Sequence, residues 1–194
     1  MPIRGIIFDL DETLVTSDLD YDAMRADLGL AADQLILESV NAMPVGPDRD
    51  QAMAVLDKYE RAGALRSTLK PGVSEFLRQL TEANIPTGIL TRNSRTATDL
   101  VCQTLNLIMS PVVTREDAAP KPDPAGLLWI CQQWQLSVTE VVYVGDFLFD
   151  LQAAANAGMR SVLYCPGDRP AFAAQADFVI TDYANAMDWV RKAT

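Results

Sequence analysis

The sequence predicts an α/β fold: a doubly wound parallel sheet with a small all-helical insertion just after its first strand. Three observations lead there. From Gly72 onward, short continuous apolar runs alternate with helical patterns, as in parallel strands covered on both faces. Between Asp20 and Gly63 apolar residues recur mostly at three- and four-residue steps, with no strand-like run. Acidic and polar residues stand at the ends of several apolar runs, where such sheets form their ligand crevice.

The first strand is read in Gly5-Ile6-Ile7, running into Phe8-Asp9-Leu10-Asp11-Glu12-Thr13-Leu14. Two carboxylates so close repel one another. The pair is sensible if a cation lies between them or if one holds a proton. The bland alternative is an acidic turn. The insertion follows, with Met24 and Leu28, then Leu35, Ile36, Val40 and Met43, then Met53, Leu56 and Tyr59 on its apolar stripes. Pro44, Gly46 and Pro47 break the run, and Asp48 is expected to cap the third helix. The insertion spans about fifty residues, small for a separately packed unit.

Leu65 to Gly72 returns the chain to the main unit. A helix then buries Val73, Phe76, Leu77 and Leu80 and ends near Asn84, before a strand at Thr87–Thr91. Ser94 caps a helix burying Ala97, Leu100, Val101 and Leu105. Pro111–Thr114 is a short strand, and Pro124 opens a helix whose buried face is read as Leu127, Leu128, Cys131 and Trp134. Val141–Val144 is a strand leading into Gly145-Asp146. The alanine-rich helix after it stops at Gly158. Strands at Ser161–Tyr164 and Phe178–Ile180 and a helix with Met187, Trp189 and Val190 complete the chain, and Trp129, Trp134 and Trp189 are read as packing residues. The expected division is 1–16 and 70–194 for the main unit and 17–69 for the insertion.

Composition narrows the function. The chain has 194 residues, 49% of them hydrophobic, enough for a sizeable core. A net charge of −10 speaks against nucleic acid or anionic lipid as partner. There is no histidine, which excludes Ser-His and Cys-His pairs, His-ligated zinc and phosphohistidine chemistry. Proton transfer falls to Asp, Glu, Lys, Tyr or Cys. Cys102, Cys131 and Cys165 are far apart, without metal or disulfide spacing, and are read as reduced small apolar residues. With no apolar run of membrane length and no leader pattern, a cytoplasmic protein is expected. Oligomeric state is left open between monomer and homodimer.

In chain order the strand-end residues are Asp9-x-Asp11, Thr91, Lys121 in Lys-Pro-Asp-Pro, and Gly145-Asp146 with Asp150 four residues on. Three acids at strand ends make a hard oxygen site suited to Mg²⁺. A hydroxyl and a lysine add donors for anionic oxygens. These are the parts phosphoryl transfer uses.

With these four motifs in order, the chain resembles the haloacid dehalogenase-like hydrolase superfamily, in its phosphoglycolate phosphatase-like branch. The resemblance covers essentially the whole chain, the helical insertion standing as its cap and the sheet as its Rossmann-like core. It implies a Mg²⁺-dependent phosphatase acting on a small phosphomonoester. By that resemblance Asp9 is the nucleophile that forms an aspartyl-phosphate, and Asp11 is the acid and base. Mg²⁺ is held by Asp9, Asp146 and the backbone carbonyl of Asp11. Thr91 and Lys121 bind the phosphoryl group, and Asp150 orients Lys121 or a metal-bound water. Glu12 departs from the family pattern, which most often has glycine there. The expectation is that Glu12 keeps an ordinary conformation or points away. Arg92 and Asn93 stand where the family commonly begins with a small polar residue; both are candidate substrate-binding residues. Arg92 is read either as a solvated loop arginine or as a selector of substrates with a second anionic group. Arg66 and Lys70, near the hinge, are weaker candidates of that kind.

Alternatives remain. A phosphomutase would use the same residues. A phosphonate hydrolase would need Lys58 or Lys70 as a Schiff-base lysine. A haloacid dehalogenase would lack Asp11. A non-catalytic phosphometabolite-binding protein would have lost a catalytic residue.

Overall fold

The computed structural model describes residues 2–192. Its centre is a six-stranded, wholly parallel sheet in the order β5-β4-β1-β6-β7-β8. The strands are β1 (Gly5–Phe8), β4 (Thr87–Leu90), β5 (Val112–Val113), β6 (Val141–Gly145), β7 (Arg160–Tyr164) and β8 (Phe178–Ile180). The chain builds outward from β1 through β4 to β5, then crosses back to β6 and builds the other way. The strand order therefore reverses beside β1, and a crevice opens at the carboxyl ends of β1, β4 and β6.

Alternation along the strands feeds two cores. Ile6, Phe8, Val142 and Val144 face one side, and Ile7, Val141 and Tyr143 the other, all fully or almost fully buried. On the first side lie α4 (Val73–Glu82), α5 (Arg95–Thr104) and α8 (Ala186–Lys192); on the second lie α6 (Ala125–Trp134) and α7 (Leu148–Ala157). Ser94 caps α5 as expected, its Oγ accepting from the Ala97 amide.

Between β1 and α4 the chain makes three helices: α1 (Tyr21–Leu28), α2 (Ile36–Asn41) and α3 (Pro47–Ala64). They share a separate core of Met24, Leu37, Val40, Ala52 and Leu56. A ribbon not anticipated from the sequence carries them. β2 (Val15–Thr16) pairs antiparallel with β3 (Thr68–Leu69), pinning both ends of the insertion together. At two residues each, these strands are too short to show a period of two.

Some expectations need correction. Asp48 does not cap α3: Gly46 is the cap residue, Pro47 opens the helix, and Asp48 lies in its first turn, where a negative charge faces the helix dipole. Leu128 and Trp129 are not packed, at 42% and 46% exposed; the buried face of α6 carries Gly126, Leu127, Ile130 and Cys131. Trp134 does pack: a side chain at Gly5 or Gly88 would meet its ring. Trp189 stacks on Phe178. The three cysteines are free, as expected.

Candidate active site

The eight residues singled out at strand ends and in the adjoining loops line one cavity of about 410 Å³: Asp9, Asp11, Thr91, Arg92, Asn93, Lys121, Asp146 and Asp150. Local folding explains the convergence. β1 ends at Phe8, and the Asp9 amide donates to the Val144 carbonyl of β6, which holds Asp9 at the sheet's edge. Thr91 follows β4, its amide bonded to Val113. Asp146 follows β6, and Asp150 lies in the first turn of α7.

Lys121 is the centre of charge. Its Nζ donates to Asp9 Oδ1 and to Asp150 Oδ1, both at 2.6 Å. All three side chains are buried, at 5%, 8% and 2% exposure, so the charges meet at low dielectric. Burial alone would lower the lysine's pKa; the carboxylates of Asp150 and Asp9 outweigh it and hold that pKa above that of an ordinary lysine. Asp150 also accepts from the Tyr143 hydroxyl at 3.0 Å and the Phe147 amide at 2.9 Å. It is thus a helix N-terminal acid that is also bonded to Lys121. Gly145 makes room for it: a Cβ there would fall 2.3 Å from the Asp150 carboxyl carbon.

Carboxylate oxygens of Asp9, Asp146 and Asp150 lie within 4.8 Å of one another. Burial pushes Asp9 and Asp146 well above the usual carboxylate range, and Asp150 adds repulsion to both. Such a cluster of hard oxygens, three carboxylates against the single cation Lys121, fits a divalent cation such as Mg²⁺. Asp146 is further held by the Thr13 hydroxyl at 3.2 Å. Asp11 stands apart from the cluster, bonded to the Asn93 side-chain amide. Burial lifts its pKa to about 6, against the pull of hydrogen bonds from Asn93 and Ser17.

Glu12 does not keep an ordinary conformation. Its φ is 55°, the left-handed region that glycine enters freely, and it lines the cavity. Its carboxylate accepts from the Ser17 amide at 3.0 Å and pairs with Lys70. The loop after Asp11 is therefore tied to the ribbon that carries the helices. Arg92 does line the cavity, but it is paired with Glu38 of α2 and lies 5.0 Å above the Phe149 ring. Arg66 is exposed, bound to Asp18, and outside the cavity wall. Lys58 sits against Asp27 and Tyr59, and neither it nor Lys70 lines the cavity; a Schiff-base lysine has no support.

Glu38, Glu60, Phe147 and Phe149 also line the cavity and were not singled out in the sequence. Glu60 had a signal. It falls four residues after Leu56 and seven after Met53, on the apolar stripe of α3, where a buried carboxylate requires a partner. Arg115 supplies that partner, and the Ser94 amide donates to Glu60 at 3.0 Å.

A family model for haloacid dehalogenase-like hydrolases matches residues 3–158. The chain is 34% identical, over 92% of its length and 80% of the relative's, to a haloacid dehalogenase-like hydrolase domain-containing protein of Arabidopsis thaliana. It is 30% identical to a phosphoglycolate phosphatase of Vibrio vulnificus, covering 97% of this chain and 96% of that one. Among solved structures, a hydrolase from Pseudomonas syringae superposes with a TM-score of 0.78 at 21% identity, covering 97% and 98% of the two chains, and so shares the fold. With its motifs gathered at the carboxyl ends of one parallel sheet, the chain belongs to the haloacid dehalogenase-like hydrolase family.

Proposed function

We propose that this enzyme, a phosphoric monoester hydrolase, cleaves a small-molecule phosphomonoester with Mg²⁺ through an aspartyl-phosphate on Asp9. The observation that carries the reading is the pair of 2.6 Å bonds from Lys121 to Asp9 and Asp150, beside Asp146 and at the foot of a cavity. An Asp9 carboxylate held at one oxygen presents the other for in-line attack on phosphorus. The bond between phosphorus and the leaving oxygen breaks, and that oxygen takes the proton of Asp11. A water then gives its proton to Asp11 and attacks phosphorus, releasing phosphate and restoring Asp9. Lys121 and the Thr91 hydroxyl offset and bind phosphoryl charge. Asp9, Asp146 and the Asp11 carbonyl would hold the Mg²⁺, which supplies further charge neutralisation. Residues 17–69 serve as a cap over a core of 1–16 and 70–194, closing the leaving-group side.

The Vibrio relative's name favours phosphoester hydrolysis over isomerisation. Asp9→Asn tests the scheme: turnover is abolished while the circular dichroism spectrum and unfolding transition are kept. Metal-dependent phosphate release near the wild-type rate would remove Asp9 as nucleophile. Isomer formation without net phosphate release would instead identify a mutase.

A further inference from the structure

The cavity is much larger than a phosphoryl group needs, and the surplus has one character. On the helical side it is walled by Tyr21, Met24, Leu35 and Leu56, and the core adds Phe147 and Phe149 from the start of α7. Tyr21, Leu35 and Phe147 are 46%, 45% and 47% exposed, so large apolar side chains of the cavity wall also reach solvent. A contiguous exposed apolar surface at a cavity mouth marks a contact for a ligand.

The cations around it are already matched. Among the described residues of the wall there are three cations, Arg25, Arg92 and Lys121. Arg92 is bound to Glu38 and lies over Phe149. Arg25 donates to the Gln34 carbonyl and to Asp22, and Lys121 to Asp9 and Asp150. The same wall carries seven carboxylates: Asp9, Asp11, Glu12, Glu38, Glu60, Asp146 and Asp150. Lys70 and Arg115 answer only Glu12 and Glu60. A divalent cation and a phosphoryl dianion cancel one another. Any second anion on the substrate meets surplus negative charge, and winning Arg92 requires displacing Glu38.

We infer that the leaving group is an uncharged alcohol with an apolar face, such as an aryl, alkyl or sugar-ring alcohol, seated on the Arg92–Phe149 stack. A leaving group bearing a carboxylate is disfavoured. Arg92 then acts as the back of a platform and not as an anion receptor, and Glu38 and Phe149 set specificity. The inference rests on the phosphatase reading above.

Matched substrates test it, so that intrinsic reactivity does not intrude. In Mg²⁺ buffer, kcat/KM for butyl phosphate is compared with that for the same chain ending in a carboxylate, and benzyl phosphate with phosphoglycolate. The neutral member of each pair is expected to be favoured at least tenfold. Phe149→Ala is expected to erode the benzyl preference through KM. Glu38→Gln, which frees Arg92, is expected to raise the ratio of carboxylated to neutral substrate severalfold. Equal or reversed preference in the wild type, or ratios unmoved by both variants, overturns the inference. Phosphate release from none of the four overturns the phosphatase reading instead. Affinities of the same compounds for Mg²⁺-loaded Asp9→Asn protein, by calorimetry, then judge the leaving-group inference: tighter neutral ligands sustain it, and tighter carboxylates overturn it.

Discussion

Lys121→Met removes a charge while nearly keeping the side chain's length, and its consequence can be worked from the packing. Lys121 is 5% exposed, between Asp9 and Asp150 at 8% and 2%. Both its bonds are 2.6 Å, and Asp146 adds a third carboxylate to the same cluster. With the lysine gone, the acids face one another at low dielectric with no cation among them. Breaking a buried pair from one side costs about 3–5 kcal/mol, well above the about 0–1 kcal/mol of a surface pair. The cost should shrink as the acids protonate. Urea unfolding in chelator, followed by tryptophan fluorescence, should therefore show a loss of about 3–5 kcal/mol at pH 7.5 and a smaller one at pH 5. Lys121→Met with Asp150→Asn should be less unstable than the two single losses added, because the second change removes a stranded charge. With Mg²⁺ present, kcat should fall by about 10²–10³ through loss of phosphoryl charge stabilisation. A loss under about 1 kcal/mol at pH 7.5, or the same loss at both pH values, would refute Lys121 as the cluster's counter-charge.

The acid cluster itself predicts a pH dependence in chelator. Asp9, Asp11 and Asp146 have pKa values raised by folding, Asp11 to about 6, so the folded chain binds more protons than the unfolded one above about pH 4. Stability should fall as pH rises from about 4 to 7, and Mg²⁺ should restore it most at the upper end; unfolding midpoints equal at pH 5 and 7.5 without metal would count against this. Gly145→Ala should drive the Asp150 carboxyl off Lys121, costing about 1–3 kcal/mol and most of the turnover, since the new Cβ lands 2.3 Å from the Asp150 carboxyl carbon on a buried strand. Glu12→Gly should be more stable than Glu12→Ala by about 1 kcal/mol, because both lose the Lys70 pair but only glycine relieves the 55° φ; equal stabilities in thermal unfolding would place no strain at Glu12.

The convergence of the strand-end residues on one side of the cavity was legible because the fold makes it so. In a parallel sheet each strand's carboxyl end reaches the same edge, so residues far apart in sequence, such as Asp9, Thr91 and Asp146, converge without any knowledge of loop geometry. Their types then name the chemistry. Lys121, grouped with the strand-end residues in the sequence, follows no strand directly but lies between β5 and α6. Asp150 carried two readings, helix-end acid and lysine orienter, and its two oxygens serve both: one meets Lys121 and Tyr143, the other the Phe147 amide.

The leaving-group side follows no such rule. Glu38, Leu35 and Tyr21 come from helix ends and a loop whose relation to the sheet depends on a two-residue ribbon, and a ribbon that short leaves no period in the sequence. Arg92 shows what this costs. Its place in the chain allowed two readings, a solvated loop arginine or a crevice arginine that selects an anionic substrate. Its meaning changed once Glu38, fifty-four residues away, was found paired with it over Phe149. Glu12 was misjudged for a related reason. An ordinary backbone is the expectation for a residue taken alone, whereas Lys70 and Ser17, from the two arms of the ribbon, hold the side chain on a left-handed backbone. In both cases the sequence supplied the charge and the tertiary partner decided its use. In this chain the cations that the cavity wall contains are therefore not the cations left free once the helical insertion has folded over them.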